Sequence, residues 1–313
     1  MKVTAKPVEM NWDAEEIAAL VRYALAEDLV EGTGMAAMDH TAHAIVAADA
    51  TARAKIVARQ NLVLAGMPLV ERAFRSLDPT IRVEAKFHEG AQVPSGATLA
   101  VVEGKARAIL AVERTALNFL AHLSGIATLT RQFVDAIAGT RARIRDTRKT
   151  TPLLRSLEKY AVRVGGGVNH RMGLYDAMLI KENHIVLAGS VTEAIRRAHE
   201  HQLSYRETSP YESFQPAAAK ELPPIQVEVR NEAELREALA AGADSVLLDN
   251  VTPMQAVQLV SIVRQQRPEC VVEISGGVKL SNVRAFAEAG ADFIAIGALT
   301  HSAPAADLSL MVE

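Results

Sequence analysis

The segment DTRKTTPLLRSLEKYAVRVGGGVNHRMGLYDAMLIKENH (146–184) gathers Arg148, Lys149, His170, Arg171 and Lys181. These side chains cannot share one solvated helix face. Gly165–Gly166–Gly167 interrupts any helix through Arg155 and Arg163, since each glycine costs about 1 kcal/mol relative to alanine there. Thr147, Arg148 and Lys149 follow the β-prone Ile144, and Lys181 follows the apolar run 177–180. Cations at the ends of short strands, with a glycine-rich turn between them, describe a convergent anion site. A solvated charge run would be uninterrupted or laced with acids at i+4, and this segment is neither.

The elements that must carry these residues are short apolar strands alternating with helical patterns. ARIRD (142–146), AMLIK (177–181), IQVEV (225–229), SVLLD (245–249), VVEIS (271–275) and FIAIG (293–297) are the strand candidates. Most are near-continuous apolar runs, as in parallel strands buried on both faces. Helical stretches such as 232–241 and 280–289 lie between the later strands. AGADSVLLDN (241–250) and AGADFIAIGA (289–298) repeat one design, in which Gly242 and Gly290 suit a left-handed helix C-cap. Repeated βα units mean a barrel or a doubly wound sheet. Five of the six runs end in a polar or glycine residue and the sixth, IQVEV, carries Glu228 one residue before its end, at the edge where α/β barrels place active sites; no G-x-G-x-x-G fingerprint comes after the first strand. An α/β barrel is the expectation.

Those strand ends supply further candidates. Glu228 and Asp249 lie at the ends of consecutive strands, where their carboxylates could serve a ligand or cap the helices that follow. Ser275, Gly276 and Gly277, then Gly297 and Ala298, close the last two; glycine N–H groups there suit a phosphate.

The N-terminal part reads as an α+β sandwich domain with a mostly antiparallel sheet. Its pattern is a helix over 12–28, strands at 53–59, 62–66, 81–87 and 97–104, and a helix over 67–76. A long helical segment, 106–138, broken near Ser124–Gly125, leads into the barrel. The expected boundaries are 1–125 and 126–304, with the tail 305–313 packing back on the first domain. Residues 203–224, polar and holding four prolines, read as an exposed inserted loop.

Composition narrows the function. Over 313 residues the formal net charge is −3, with no basic tract for nucleic acid or an anionic membrane surface, so anion binding must be local. Cys270 is the only cysteine, which excludes an intrachain disulfide or thiolate metal cluster. No apolar run reaches the ~18–20 residues of a membrane span, and the N-terminus lacks a signal-peptide core. A cytoplasmic protein is the expectation.

The residues also resemble a known family. DTRKTTP (146–152), LEKYAVR (157–163), GGGVNHR (165–171) and LIKENH (179–184) are similar to the central motif of the quinolinate phosphoribosyltransferases, the carboxylating nicotinate-nucleotide pyrophosphorylases. The likeness continues through ERTALNFLAHLSGIAT (113–128), VEV (227–229), LLDN (247–250), EISGGV (273–278) and IGALTHSAPAADLSL (296–310). It implies an N-terminal α/β sandwich, an open α/β barrel, and a homodimer in which each N-terminal domain covers its partner's barrel mouth, with dimers able to associate further. It implies transfer of phosphoribosyl from 5-phosphoribosyl-1-diphosphate to quinolinate with loss of CO2. Arg148, Arg171 and Lys181 would grip the quinolinate carboxylates, helped by Thr147 and His170. Lys149 would meet the phosphates, Arg114 would reach the neighbouring subunit's substrate, and Glu228 with Asp249 would serve the ribose hydroxyls and Mg2+. Ser275, Gly276, Gly297 and His301 would hold the 5-phosphate. Lys149, Lys181, Glu228 and Asp249 are the expected catalytic residues. The chain departs from the family at EGTGMAAMDHTA (31–42), where a Gly-Asp-(Ile/Leu)-Thr-Thr turn is usual, and at the 203–224 insertion. A nicotinate-using sister enzyme, a molybdenum-associated paralogue and a non-catalytic barrel protein remain as alternatives.

Overall fold

Runs of apolar β-branched residues bounded by glycine-rich turns set the strands, and caps set the helices. The structure, a computed structural model, describes residues 10–30, 39–208 and 224–313. In chain order the first elements are α1 (Glu15–Leu29), α2 (His40–Ile45), β1 (Thr51–Ala58), β2 (Leu62–Val63) and α3 (Met67–Leu77). β3 (Arg82–Ala85), β4 (Gln92–Val93), β5 (Thr98–Lys105) and the long α4 (Ala106–Ala136) come next. Then come β6 (Arg143–Arg145), α5 (Arg155–Val164), β7 (Met178–Ile180), α6 (Glu182–Ala188), α7 (Val191–Thr208) and β8 (Ile225–Val229). The chain closes with α8 (Glu232–Ala240), β9 (Ser245–Asp249), α9 (Pro253–Gln266), β10 (Val271–Ser275), α10 (Val283–Glu288), β11 (Phe293–Ala295), α11 (Ala298–His301) and β12 (Leu308–Val312).

Two compact units result. One comprises Gln132–Arg155 and Gly167–Ala298; the other comprises the described part of Val8–Arg131 with Ser156–Gly166 and Leu299–Glu313. In the second, β12, β1, β5 and β3 form an antiparallel sheet in that order, so the C-terminal strand pairs with the first. Its helix α3 starts at Gly66, whose backbone is left-handed (φ 103°), and the Glu89 carboxylate accepts the Gly66 and Met67 N–H groups at 2.8 and 2.9 Å. An anion at a helix N-terminus satisfies donors that the helix itself cannot.

The first unit is built on a six-stranded parallel sheet in the order β6-β11-β10-β9-β8-β7. From β7 to β11 the strands run in sequence order, and β6 joins beside β11. That cyclic order, with β6 and β7 as the two edges, is an open α/β barrel; a doubly wound sheet reverses direction at a switch point. β8, β9 and β10 match their apolar runs to the residue, because strands covered on both faces leave the strongest sequence signal. Asn231 caps α8 through its side chain, Thr252 and Gln255 form a capping box on α9, and Gly242 and Gly290 take left-handed backbone after α8 and α10.

Two expectations change. α4 runs through Ser124–Gly125 without a break. Gly125 is there for close approach: a Cβ would collide with the carbonyl oxygen of Pro304, and Ser124 Oγ bonds the backbone of Ala65 instead of opening the helix. α7 extends to Thr208, so residues 203–208 are helical and not loop; the rest of the insertion, 209–223, and residues 31–38 lie outside the described residues.

Gly125→Ala should therefore overpack this unit and lower stability by about 1–3 kcal/mol. A thermal melt should show a Tm drop of several degrees; an unchanged Tm would mean that Pro304 yields freely.

Candidate active site

The parallel register aligns the strand ends. Ile180 sits opposite Val227, Glu228 opposite Leu247, Asp249 opposite Ser275, and Ser275 opposite Ala295, which in turn faces Arg145. Asp146, Lys181, Glu228, Asp249, Ser275 and Gly297 thus come to one edge of the sheet. This is the C-terminal edge, where the backbone leaves the strands and side chains gain access to ligand.

At the open edge a lone parallel bridge joins Arg145 to Val168, extending the sheet by one residue beyond the glycine turn. The fully buried Asp146 then anchors the turn after that bridge. Its carboxylate accepts the His170 N–H at 2.8 Å and the Asn169 side-chain amide at 2.5 Å. His170 and Arg171 are both buried, and Arg171 anchors itself by donating to Ala177 O at 3.0 Å. Asp176 closes the same turn by accepting the N–H groups of Met172 and Gly173 at 2.6 and 3.1 Å. Arg155 ties it to the preceding loop, donating to Thr150 Oγ1 and to Met172 O at 3.0 and 2.9 Å. Thr147 Oγ1 accepts the Lys149 N–H at 3.1 Å and shapes the turn that carries Arg148.

The charges are arranged for anions. Burial and then the neighbouring Arg148 guanidinium lower the proton affinity of Arg171, so two like charges converge. Arg148 Nε is buried without a hydrogen-bond partner among the described residues. Such a group is costly unless something anionic completes it. Across the sheet edge Lys181 Nζ donates to Glu228 Oε2 at 2.7 Å. Burial, then the Glu228 carboxylate, raises the Asp249 pKa, while Lys181 and Lys149 oppose the rise. Cations and acids therefore form adjoining groups, one suited to carboxylates and the other to hydroxyls or a cation. Among the described residues no cluster of three or more His, Cys, Asp or Glu could hold a metal, so any cation must draw ligands from substrate as well.

The glycine strand ends also have a structural cause. Asn250, itself left-handed (φ 54°), donates its backbone N–H to Ser275 O at 2.9 Å and its side-chain amide to Asp249 at 2.7 Å. A Cβ on Gly276 would run into the Asn250 side chain, whereas one on Gly277 would meet nothing within 4 Å. Gly276 is needed for packing, and Gly277 leaves its backbone open. Gly297 and Ala298 stand where β11 gives way to α11.

Arg114 and His301 belong to the other unit. The Arg114 side chain is 75% exposed, with Glu113 at 3.9 Å, an ion pair too long and too wet to hold it. His301 is exposed and its Nδ1 lies 2.6 Å from Ser302 Oγ. Asp146, Arg155, Asp176 and Asn250 hold the candidate site together through their hydrogen bonds, and sequence reasoning does not assign them. Asp146 could have been found, as a carboxylate at a strand end flanked by cations; the others carry no local signal.

Known proteins agree with this architecture. Residues 39–124 match the family model described as quinolinate phosphoribosyl transferase, N-terminal domain, and residues 126–311 match its C-terminal domain. A nicotinate-nucleotide pyrophosphorylase [carboxylating] of Mycobacterium leprae is 42% identical over 295 residues, covering 93% of this chain and 95% of that protein. A probable enzyme of the same name from Bacillus subtilis is 37% identical, covering 95% and 93%. The solved nicotinate-nucleotide pyrophosphorylase of Francisella tularensis superposes with a TM-score of 0.84 at 36% identity, over 99% of this chain and 100% of that one. The chain belongs to the quinolinate phosphoribosyltransferase family.

Proposed function

We propose that this chain transfers the phosphoribosyl group of 5-phosphoribosyl-1-diphosphate to the ring nitrogen of quinolinate. Pyrophosphate and CO2 leave, and nicotinate mononucleotide is formed for NAD synthesis. The observation that carries the reading is the Arg148–Arg171 pair, two partly buried guanidinium groups brought close together at the sheet edge where Lys181 follows β7. A pyridine dicarboxylate supplies the negative charge that this repulsion calls for, and guanidinium forks grip carboxylates bidentately.

In this reading Arg148, Arg171 and Lys181 hold the two carboxylates, with Thr147 and His170 shaping the pocket. Lys149 faces the phosphates of the second substrate. Ser275, Gly276, Gly277, Gly297 and Ala298 cradle the 5-phosphate with backbone N–H groups, assisted by His301. Glu228 and Asp249 accept the ribose hydroxyls and would hold Mg2+, which supplies charge neutralisation for the departing pyrophosphate. The chain's own contribution is position and field: the nitrogen is held in line with C1 of the ribose while cationic character grows there. The new C–N bond leaves the ring a pyridinium. When the adjacent carboxylate departs as CO2, its bonding electrons stay on the ring carbon beside that cationic nitrogen, and a proton from solvent completes the product.

The working form in this reading is a homodimer in the cytoplasm. α6 buries no side chain within this chain, and Val186 and Leu187 are 71% and 82% exposed. Apolar side chains left this exposed on one helix suit a partner surface. No helix among the described residues is long and apolar enough to cross a membrane.

Purified protein with both substrates should release pyrophosphate and nicotinate mononucleotide, and equal activity with nicotinate would overturn the dicarboxylate reading. Arg171→Ala or Lys181→Ala should cut kcat/KM for quinolinate by about 10–100-fold with Tm nearly unchanged. Wild-type turnover at limiting quinolinate would remove the carboxylate clamp.

Arg114, exposed in its own chain, serves the neighbouring protomer's quinolinate in this reading. Mixing Arg114→Ala and Lys181→Ala subunits should then restore activity, because one heterodimer site receives both intact residues. Equal mixing gives about half heterodimer, hence roughly a quarter of wild-type activity. Subunit exchange without recovery would show that Arg114 acts within its own chain or only structurally.

A further inference from the structure

Beneath the strand ends runs a buried chain of hydrogen-bonded polar groups. His170 Nδ1 lies 2.7 Å from the N–H of Arg171, and its Nε2 lies 3.0 Å from Gln226 Oε1. The Gln226 amide nitrogen is 3.3 Å from Ser245 Oγ, whose hydroxyl donates to Val271 O at 3.1 Å. The cross-strand register explains the middle link, since Gln226 on β8 sits opposite Ser245 on β9. Gln226 also precedes Glu228 by two residues, so both face the same side of the sheet, with Gln226 one layer below the site.

The direction of every bond is fixed by chemistry. A backbone N–H can only donate, so His170 Nδ1 accepts and carries no proton. The ring proton is then on Nε2 and points to Gln226 Oε1. The glutamine is thereby turned so that its NH2 meets Ser245, and the serine hydroxyl is left to meet a carbonyl, which can only accept. Only a neutral imidazole in one tautomer fits. Glu273, fully buried with one oxygen 3.5 Å from Nε2, would favour an imidazolium by itself; Arg145 offsets its charge through a 2.5 Å bond to the other oxygen.

We propose that Gln226 is a positioning residue for quinolinate binding: by locking His170 in its Nε2–H tautomer it holds the backbone from which Arg171 reaches the substrate. The inference rests on the assignment of Arg171 to a quinolinate carboxylate. Two ties then converge on that backbone and a third on the side chain. Asp146 holds the His170 N–H, the relay holds the Arg171 N–H, and Ala177 O holds the guanidinium. A small displacement of a charged clamp is expensive because its geometry sets the alignment of the reacting nitrogen.

The test compares Gln226→Leu, which keeps the volume and removes both amide ends, with Arg171→Ala. Gln226→Leu should raise the KM for quinolinate about tenfold, with kcat and the KM for the phosphoribosyl donor within about twofold. Ser245→Ala, a substitution too small to disturb folding, should move the same KM in the same direction by less. In substrate-free protein labelled with 15N-histidine, the His170 signal, identified by its loss in His170→Gln, should report a single Nε2–H tautomer. Gln226→Leu should abolish that single state. A quinolinate KM unchanged in Gln226→Leu but raised in Arg171→Ala overturns the relay alone. An unchanged KM in both overturns the carboxylate assignment with it. An Nδ1–H or doubly protonated His170 in the wild-type protein overturns the tautomer lock whatever the kinetics.

Discussion

Arg148 and Arg171 repel each other, and most of the site can be understood as the means of keeping them together. Neither guanidinium can give up its proton to relieve the repulsion under ordinary conditions. The protein instead removes their freedom to separate. Ala177 O takes one end of Arg171, Asp146 holds the backbone before it, and Asp176 and Arg155 close the turn behind it. Each bond is modest singly, at about 1 kcal/mol net. Acting on one short segment they leave the cations no cheap way to relax except by binding an anion.

The acids are kept apart from that pair, and the separation is what gives the site two functions. If Glu228 or Asp249 stood between the arginines, the repulsion would be neutralised internally and no affinity for carboxylates would remain. They occupy the ends of β8 and β9 instead, and Lys181 is the one clamp cation shared between the groups through its bond to Glu228. The Glu228 carboxylate helps to raise the Asp249 pKa, so the two acids are near neighbours. With a net charge of −3 over the chain, such local segregation of sign, and not global charge, directs small anions to the barrel edge.

How much of this the sequence discloses depends on how local the cause is. β8, β9 and β10 are legible because a short, mostly apolar run between turns fits little besides a buried strand, and the candidate site residues stand at or near their ends. β6 and β7 are each one residue shorter than their runs at either end, and β11 stops two residues before its run does. Gly125 misleads since a glycine required by Pro304, far along the chain, looks the same as one that breaks a helix. His170 is the instructive residue at the site. Its neighbours mark it as a ligand contact, whereas the structure occupies both ring nitrogens with protein groups.

That difference has a general cause. A residue that touches ligand can be inferred from its own type and position, but a residue that orients it is defined by pairs distant in sequence. Arg145 meets Glu273 across the sheet and stacks on Phe293 at 3.9 Å; Gln226 meets Ser245 across one strand pair. In sequence, Arg145 and Gln226 are polar interruptions in apolar strands and weaken the strand signal. In the fold they are the floor of the site, where low dielectric strengthens each bond and makes an unmatched group expensive. The same burial that hides these residues from pattern reading makes them effective: a relay sealed from water has no competing partners, which favours one geometry for the backbone above it.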